Sequence, residues 1–532
     1  MWYLAIVVIA TIMLYYELYV GGAVSPNIIA GFGMTFPFYV YISVVGNAIG
    51  AFGSLLAGLA DRWGRANLVA YGLVITALLT LIGIPNAHDK WTFAILSVII
   101  GLVEGVILVA TPALVRDFSP QLGRASAMGF WTLGPVMGSL VVAVVATNTV
   151  NHLHPWQDQF IITGIVGLVV GVIALFGLRE LSPQLRDQLM VSHHDRALIE
   201  ARARGLNVDE AMGRSPWRQM MHLNVIGSAF AISVFLLVYY TAVGFFTVYF
   251  TTLHGFTLAK ANSIGNWFWA FDAGALILIG ILSDRLRVRK PFMVVGAIGA
   301  IVFMIIFLNL GATTSYSTFV VIISLLAVFL AIAYAPWMAS FTETVEKHNP
   351  ALIATGLAVW GWIIRVVIAV SVLILPSVIS SMTPLVTYGA GVAQMSAQYA
   401  PELATAQAID PATQATLQAS PTNTAALTKA VTEIATTFKV SPAEAQAKLL
   451  ALSKVPQADL LFLNQHGKEV ASAATNAPGQ WKTWWWVCVG GMVLFLPFIF
   501  LMTGRWSPRR AKEDADAHER RLQEELAALQ EA

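Results

Sequence analysis

Long apolar runs recur along the whole chain and restrict its possible folds more than any other feature. A helix needs about 20 apolar residues to cross the hydrocarbon core of a bilayer, and about twelve stretches of the chain meet that need. They lie near residues 2–23, 36–59, 67–85, 92–114, 126–148, 159–178, 224–250, 263–283, 292–311, 317–338, 352–377 and 483–503. Only helices and closed barrels satisfy their backbone hydrogen bonds inside a membrane. We therefore predict an all-α membrane protein with about 12 transmembrane helices.

The composition excludes several classes of protein. Charged residues make up only 11% of the 532 positions, whereas soluble domains have about 25%. The net charge is +2 and the arginines come in short clusters, so nothing supports nucleic-acid binding. The single cysteine, Cys488, lies in an apolar run and leaves no disulfide, CxxC pair or cysteine zinc cluster within the chain. Because no nucleotide-binding loop is present either, we expect no cofactor, no metal and no enzymatic activity.

The opening segment Met1–Val20 is expected to be a membrane span that the mature protein keeps. It lacks the basic residues that begin a signal peptide, and Glu17 interrupts its apolar stretch. No small-residue cleavage site follows it convincingly.

Arginines cluster in the loops on one side of the predicted spans. The clusters are Arg62 with Arg65, Arg116 with Arg124, residues 179–218, Arg285 to Lys290, and Arg505 to Lys512. The opposite loops contain no arginine, and the short ones offer only Lys90 and Lys260. Because short basic loops stay in the cytoplasm, we predict an inner-membrane protein with both termini cytoplasmic.

The spans fall into two groups of six, divided by a polar stretch. The predicted parts are an N-terminal six-helix bundle at 1–178, a cytoplasmic central loop at 179–222, helices 7–11 of a C-terminal bundle at 223–382, an extracytoplasmic insert at 383–481, helix 12 at 482–504, and a cytoplasmic tail at 505–532. The tail has leucines at helical spacing but too few heptads for a coiled-coil dimer, and we expect a monomer.

The insert between the last two spans is rich in Ala, Thr and Gln. The segment Ser441-Pro442-Ala443-Glu444 is a capping box and predicts a helix over 445–452. Prolines at 401, 411 and 421 predict short helices separated by turns, or partial disorder. We expect too few large apolar residues for an independent core. Its only histidine, His466, has no nucleophile nearby in the sequence, so no catalytic group is predicted there.

Two segments at equivalent positions of the halves look alike. Gly58-Leu-Ala-Asp61-Arg62-Trp-Gly64-Arg65 follows the second run, and Gly280-Ile-Leu-Ser-Asp284-Arg285, with Arg289-Lys290 beyond it, follows the eighth. Each copy puts an acid and a base at a cytoplasmic helix end. An acid there can hold basic partners in one conformation and lose them in another.

This duplicated pattern resembles the loop signature of the major facilitator superfamily, G-x-x-x-D-R/K-x-G-R-R/K. The first copy departs at Ala57 and Ala66, and the second has Arg287 where the second glycine would stand. The resemblance covers nearly all of the apolar chain. It implies two six-helix bundles and transport of a small solute by alternating access. It also implies a conformational latch made of Asp61, Arg62, Arg65, Asp284 and Arg285.

The fifth run contains two glycines one helical turn apart, Gly134 and Gly138, with Pro135 between them. The glycines permit a neighbouring helix to approach closely, and the proline favours a bend. The segment looks like the G-P-x-x-G part of a fifth-helix motif found in superfamily antiporters, although Phe130 replaces an upstream glycine. Tight helix packing alone also accounts for it.

Four ionisable residues lie inside predicted spans, where charges are costly and often mark transport paths: Glu17, Glu104, Asp272 and Arg365. The resemblance implies that their helices line one central cavity. An acid in a medium of low dielectric constant can bind a proton near neutral pH, which suits proton coupling. Arg365 could clamp an anion with its planar fork, or form a structural pair with Asp272 or another acid. Each acid could equally be a neutral packing residue.

The leading hypothesis is a secondary carrier of a small organic or inorganic anion, coupled to protons and surrounded by membrane lipid. The alternative is a multidrug-type proton antiporter, favoured by the fifth-helix motif, the buried acids and aromatic residues such as Trp267, Trp269, Trp360, Trp362 and Tyr240. A transporter-like sensor and a membrane-embedded enzyme are weaker alternatives.

Overall fold

The structure is a computed structural model that describes residues 2–55, 64–118, 131–152, 156–179, 216–349 and 352–510, with four residue pairs between 512 and 524. Its contacts divide the chain into two compact units. One unit comprises Met1–Ile379 and Gly479–Ala532, and the other comprises Ser380–Pro478. The regular elements in the described ranges are all helices.

The first half contributes seven of these helices. They are α1 (Trp2–Ala23), α2 (Ser25–Gly31), α3 (Phe36–Leu55), α4 (Arg65–Leu78), α5 (Lys90–Phe118), α6 (Gly134–Thr149) and α7 (Gln157–Gly177). A π-helical turn, Leu79–Gly83, continues α4. The buried core of this half draws on α1, α4, α5, α6 and α7.

The second half contributes the helices that follow residue 215. They are α8 (Pro216–Gln219), α9 (Leu223–Phe235), α10 (Leu237–His254), α11 (Leu258–Leu286), α12 (Lys290–Leu308), α13 (Tyr316–His348), α14 (Ile353–Val378), α15 (Met382–Gln398), α16 (Ala400–Gln407), α17 (Pro411–Ala419), α18 (Thr424–Phe438), α19 (Pro442–Ser453) and α20 (Gln457–Leu501). Aromatic rings fill the core of its membrane part, where Phe307 packs on Trp485 at 5.3 Å between ring centroids.

Within the described ranges, ten helices are long and apolar enough to cross a membrane. An eleventh span exists if α2 and the start of α3, which are bent by 115°, count as one. The helix α6 is apolar but shorter than a full span, and the predicted run at 126–148 begins outside the described residues. Multiple membrane-spanning helices are therefore confirmed, and the number twelve stays a prediction.

The chain turns sharply between α2 and α3. Pro26 lies in the first turn of α2, a position where its missing N–H costs nothing. After the helix ends, Gly33 has a φ of 56°, which a glycine adopts without steric cost. The result is a short helix at an angle to the span that follows it.

The unit Ser380–Pro478 contains a small helical core. The predicted capping box is present, because Ser441 accepts from the Glu444 backbone N–H and Glu444 accepts from the Ser441 N–H. The expectation that this insert has too few apolar residues for a core is wrong. Ile409, Ala430, Ile434 and Ala445 are buried together with several partly buried neighbours. Two of the four are alanines, which a count of large residues misses.

Candidate functional site

The two halves of the membrane unit are joined by hydrogen bonds at the end that the arginine distribution predicts to be extracytoplasmic. The Thr247 hydroxyl donates to the Gly22 carbonyl at 2.7 Å and lies 3.3 Å from the Ser25 hydroxyl. The Asn262 side chain donates to the Ala23 carbonyl at 3.0 Å. Asn266 donates to Thr147 at 3.1 Å. These contacts link α1, α2 and α6 to α10 and α11.

Helices α1 and α10 meet closely at this end because of a glycine. A Cβ atom built on Gly22 would collide with the backbone carbonyl of Val243. Beside this contact lies a cavity of about 40 Å³ whose lining includes Tyr19, Ser139, Phe246 and Trp269. It has room for about one water molecule.

Tyrosines from both halves gather next to this contact. On α1, the rings of Tyr15 and Tyr19 lie 5.5 Å apart. On α10, Tyr239 lies 5.4 Å from Tyr240 and 4.9 Å from the ring of Trp269. Electrostatic interactions connect the two pairs with each other and with Tyr334 of α13. We call Tyr15, Tyr19, Tyr239, Tyr240 and Tyr334 the tyrosine cluster.

Arg365 lies at the edge of the tyrosine cluster. Its guanidinium interacts electrostatically with Tyr15. It also lines a cavity of about 220 Å³ between α3 and α14. The other lining residues are Asn47, Ala48, Ala51, Phe52, Trp362, Val366 and Ala369. An arginine here offers five N–H donors and a permanent charge to an anion.

Glu104 of α5 approaches the tyrosine cluster from the N-terminal half. The residue is only 3% exposed, and neither carboxyl oxygen receives a hydrogen bond from the described residues. Its electrostatic neighbours include Tyr15, Tyr19 and Glu17. Glu104 and Arg365 therefore both act on Tyr15, from opposite halves.

Asp272 of α11 lies on the other side of the cluster. It is 4% exposed and interacts electrostatically with Tyr239 and Tyr334. Arg365 interacts electrostatically with Tyr15 and not with Asp272. The two residues thus form no ion pair with each other in the described structure.

Glu17 points into the N-terminal bundle. One carboxyl oxygen accepts from the Thr76 hydroxyl of α4 at 2.7 Å. The other is buried without a hydrogen-bond partner among the described residues and abuts Gly167 of α7, where a Cβ would collide with it. Glu17 is therefore held within the N-terminal half by a hydrogen bond.

The predicted latch is described in part. Asp61 and Arg62 lie outside the described residues, and Arg65 begins α4. In the second copy, Asp284 accepts from Arg289 at 2.7 Å, and Arg289 also pairs with Glu343 of α13 at 3.2 Å. Arg285 is exposed and lies beside this network. Glu343 was absent from the sequence prediction, because no local pattern marks the acid that a distant helix supplies.

Gly134 and Gly138 both face α1. A Cβ on Gly134 would lie 2.6 Å from Thr11, and one on Gly138 would lie 2.5 Å from the Cβ of Tyr15. Pro135 occupies the first turn of α6, after a break in the helix at Leu133. These glycines thus set how closely Tyr15 approaches α6.

The tyrosine cluster was missed by the sequence analysis except for Tyr240. The available signal was a Tyr-Tyr pair in the first span of each half, Tyr15-Tyr16 and Tyr239-Tyr240. No group of three or more metal-binding side chains occurs among the residues searched, which are those that the structure describes.

Comparison with known proteins identifies the family. A family model described as Major Facilitator Superfamily matches residues 6–372. Multidrug resistance protein MdtL of Klebsiella pneumoniae subsp. pneumoniae is 29% identical over 167 residues, which cover 30% of this chain and 39% of that protein. Putative glycerol-3-phosphate transporter 1 of Arabidopsis thaliana is 26% identical over 275 residues, which cover 47% of this chain and 51% of that protein. Glucose-6-phosphate exchanger SLC37A2 of Mus musculus is 26% identical over 306 residues, which cover 53% of this chain and 60% of that protein. The chain thus spans between 39% and 60% of the length of these curated relatives.

Solved structures agree at the level of the fold. A bacterial homologue of the human lysosomal transporter Spinster, inward-facing and occupied, has a TM-score of 0.56 at 15% identity, covering 94% of this chain and 95% of that one. A D-xylose–proton symporter has a TM-score of 0.51 at 15% identity, and the match covers 70% of this chain and 96% of that one. Since the family model matches more than half of the residues, the chain belongs to the Major Facilitator Superfamily and is a multi-pass membrane protein.

Proposed function

We propose that this transporter moves a small organic or inorganic anion by alternating access, coupled to protons. The observation that supports an anion is Arg365, a guanidinium in the middle of a membrane helix that lines a cavity and adjoins the tyrosine cluster. A buried cation attracts an anionic substrate and offers it paired N–H donors. Two of the relatives are named for phosphate-bearing solutes, glycerol 3-phosphate and glucose 6-phosphate.

Proton coupling is proposed on the buried carboxyl groups. Glu17, Glu104 and Asp272 are each no more than 5% exposed, and the described structure gives none of them a cationic partner. Acids removed from water and from positive charge can exchange protons as their surroundings change. The two acids beside the tyrosine cluster, Glu104 and Asp272, are the candidates nearest to the proposed substrate. We propose a monomer in the inner membrane with cytoplasmic termini.

The anion proposal is tested by flux into proteoliposomes. Inorganic phosphate, glycerol 3-phosphate and small carboxylates are offered with and without an inward pH gradient. Arg365→Lys should weaken uptake, because a point charge replaces the planar guanidinium. Arg365→Gln should weaken it further, because the positive charge is then lost as well. Arg509→Gln, in the exposed tail, is the matched control. Equal uptake by wild type and Arg365→Gln would end the clamp proposal.

The double variant Arg365→Gln with Asp272→Asn separates the clamp from a structural ion pair. If the two charges neutralised each other, removing both would restore much of the lost function. Since they form no ion pair in the described structure, we expect the losses in ligand affinity to add. Recovery of binding in the double variant would refute the clamp.

A multidrug-type proton antiporter is the second candidate. It is favoured by the aromatic surroundings of Asp272, namely the tyrosine cluster and Trp269, because aromatic faces attract organic cations. Proton-driven efflux of a lipophilic cation that Asp272→Asn abolishes and Arg365→Gln leaves intact would favour this candidate over the anion carrier.

A further inference from the structure

The cavity that Arg365 lines lies between α3 and α14, so its walls bear on which anions can enter it. Six of its eight lining residues are apolar, and the polar ones are Arg365 and Asn47. Two walls are open to the outside of the protein, because Phe52 is 67% exposed and Trp362 is 62% exposed. Trp362 lies in the middle part of α14 and Asn47 lies in the middle part of α3, whereas Phe52 lies in the last turn of α3. The cavity therefore opens at a depth where hydrocarbon surrounds a membrane protein.

The helix α14 is the least covered of the ten candidate spans. Only 6% of its apolar window is buried, whereas each of the other nine has at least 33% buried. Its exposed residues include Trp362, Val366, Val370 and Ile374. These four are spaced four apart, so they form one apolar stripe along the helix. The stripe begins at the cavity and continues away from it.

The size of the cavity limits what it can enclose. Sites that enclose a drug-sized ligand measure about 300–1,000 Å³, and this cavity measures about 220 Å³. It has room for an anionic head group beside Arg365 together with the first part of a tail. A longer tail must leave through the open side, where the apolar stripe and lipid chains would surround it.

We infer that the substrate is a single-chain anionic amphiphile, which enters the α3–α14 cavity sideways from the bilayer with its head group at Arg365 and its chain along the stripe of α14. This inference rests on the proposed function and specifies its substrate class. An apolar entrance does not favour a water-soluble anion, because the transfer of its charge from water into hydrocarbon is unfavourable. An amphiphile concentrates in the bilayer by burying its chain there, and only its charged head group then needs a partner at membrane depth.

The test measures binding to the full chain in nanodiscs of zwitterionic lipid. Two pairs of anions share a head group and differ in chain length: ethyl and dodecyl phosphate, and propionate and laurate. The stripe variants Val370→Asn and Ile374→Asn each place a polar side chain on the apolar stripe of α14 and leave the cavity lining unchanged. Val169→Asn, at a position of α7 that is 56% exposed, adds the same side chain elsewhere on the surface and is the matched control. Thermal unfolding confirms that each variant is folded, and the second stripe variant serves if the first is not.

We expect a stripe variant to weaken binding of the long-chain anion of at least one pair by about fivefold or more. Binding of its short-chain partner should stay within twofold, and Val169→Asn should change neither. Arg365→Gln should weaken both chain lengths. If the stripe variants weaken both chain lengths equally, or neither, while Arg365→Gln still weakens them, the amphiphile inference is overturned and the anion proposal stands. If no anion of either pair binds in a way that depends on Arg365, both are overturned.

Discussion

Glu17 and Glu104 show that two glutamates of one helix bundle can have different surroundings. The Glu17 carboxyl holds the Thr76 hydroxyl inside the N-terminal half, whereas Glu104, one helix away, has no hydrogen bond from the described residues and lies beside Tyr15 and Tyr19. A sequence pattern finds both as acids in apolar runs. It cannot tell them apart, because the difference lies in which side chains other helices bring to them.

Removing the Thr76 hydroxyl should destabilise the N-terminal half. Thr76→Val leaves the buried Glu17 carboxyl without its hydrogen-bond donor, which costs about 1–3 kcal/mol. Thr251→Val is the control, since that hydroxyl donates to the backbone of its own helix, at 2.7 Å from the Thr247 carbonyl. Thermal unfolding in detergent measures both. A midpoint that falls no further for Thr76→Val than for Thr251→Val would show that the bond to Glu17 contributes nothing.

Close approach between helices depends on a few glycines. Helices α3 and α5 use Gly46 and Gly101, where a Cβ on Gly101 would lie 3.0 Å from the Gly46 carbonyl oxygen. Helices α1 and α6 use Gly134 and Gly138 in the same way. The spacing of the last two glycines predicted a shared face, but the partner helix could not be predicted, since any neighbour would satisfy the pattern.

Gly138→Ala should destabilise the protein and weaken transport. The new Cβ would lie 2.5 Å from that of Tyr15 and 3.0 Å from its backbone carbon, so α1 must move. Overpacking of this kind costs about 1–3 kcal/mol. Gly490→Ala in α20 is the control, because nothing lies within 4 Å of its Cβ position and alanine favours a helix. Thermal unfolding should show a loss for Gly138→Ala and no loss for Gly490→Ala.

The start of α5 is capped by Asp89. The side chain accepts from the backbone N–H groups of Trp91 and Thr92 at 2.7 and 3.1 Å, and from the Thr92 hydroxyl at 2.7 Å. These hydrogen bonds, that of the Thr92 hydroxyl first, lower the pKa of Asp89 below its ordinary value of 3.8. A lowered pKa means that the cap is fully present above pH 3.8 and is lost as the pH falls through the lower, folded value.

Asp89→Ala should therefore loosen the first turn of α5 at neutral pH. Hydrogen exchange at Trp91 and Thr92 should be faster in the variant than in the wild type. Asp158→Ala is a suitable control, because Asp158 lies in the first turn of α7, a helix with no side-chain cap. Unchanged exchange at residues 91 and 92 would contradict the capping role.

At the scale of the whole molecule, the sequence predicted the family but not the contacts between distant helices. The apolar runs and the duplicated acid–base loop led to a membrane protein of the Major Facilitator Superfamily, and the family match confirms this family. Both signals are local and repeat along the chain. The tyrosine cluster, the Glu343 pairing and the alanine-rich core of the unit Ser380–Pro478 depend on residues far apart in sequence. No local pattern marks such contacts.

The predicted orientation can be tested with single cysteines in intact cells. A cysteine at Thr422, in the insert, should react with an impermeant thiol reagent, whereas one at Ser182, in the central loop, should not. The native Cys488 is fully buried and should stay silent in the parent protein. Equal labelling at the two positions, or labelling of Ser182→Cys alone, would reverse or refute the predicted topology.

The hydrogen bonds across the halves also set an energy scale for transport. Four of them join α1, α2 and α6 to α10 and α11, and each contributes about 0.5–1.5 kcal/mol net. Together they resist opening of that end by about 2–6 kcal/mol. One elementary charge that crosses a membrane potential of 100 mV releases about 2.3 kcal/mol. The free energy that keeps this end closed is thus of the same order as the free energy that a single coupled ion can supply.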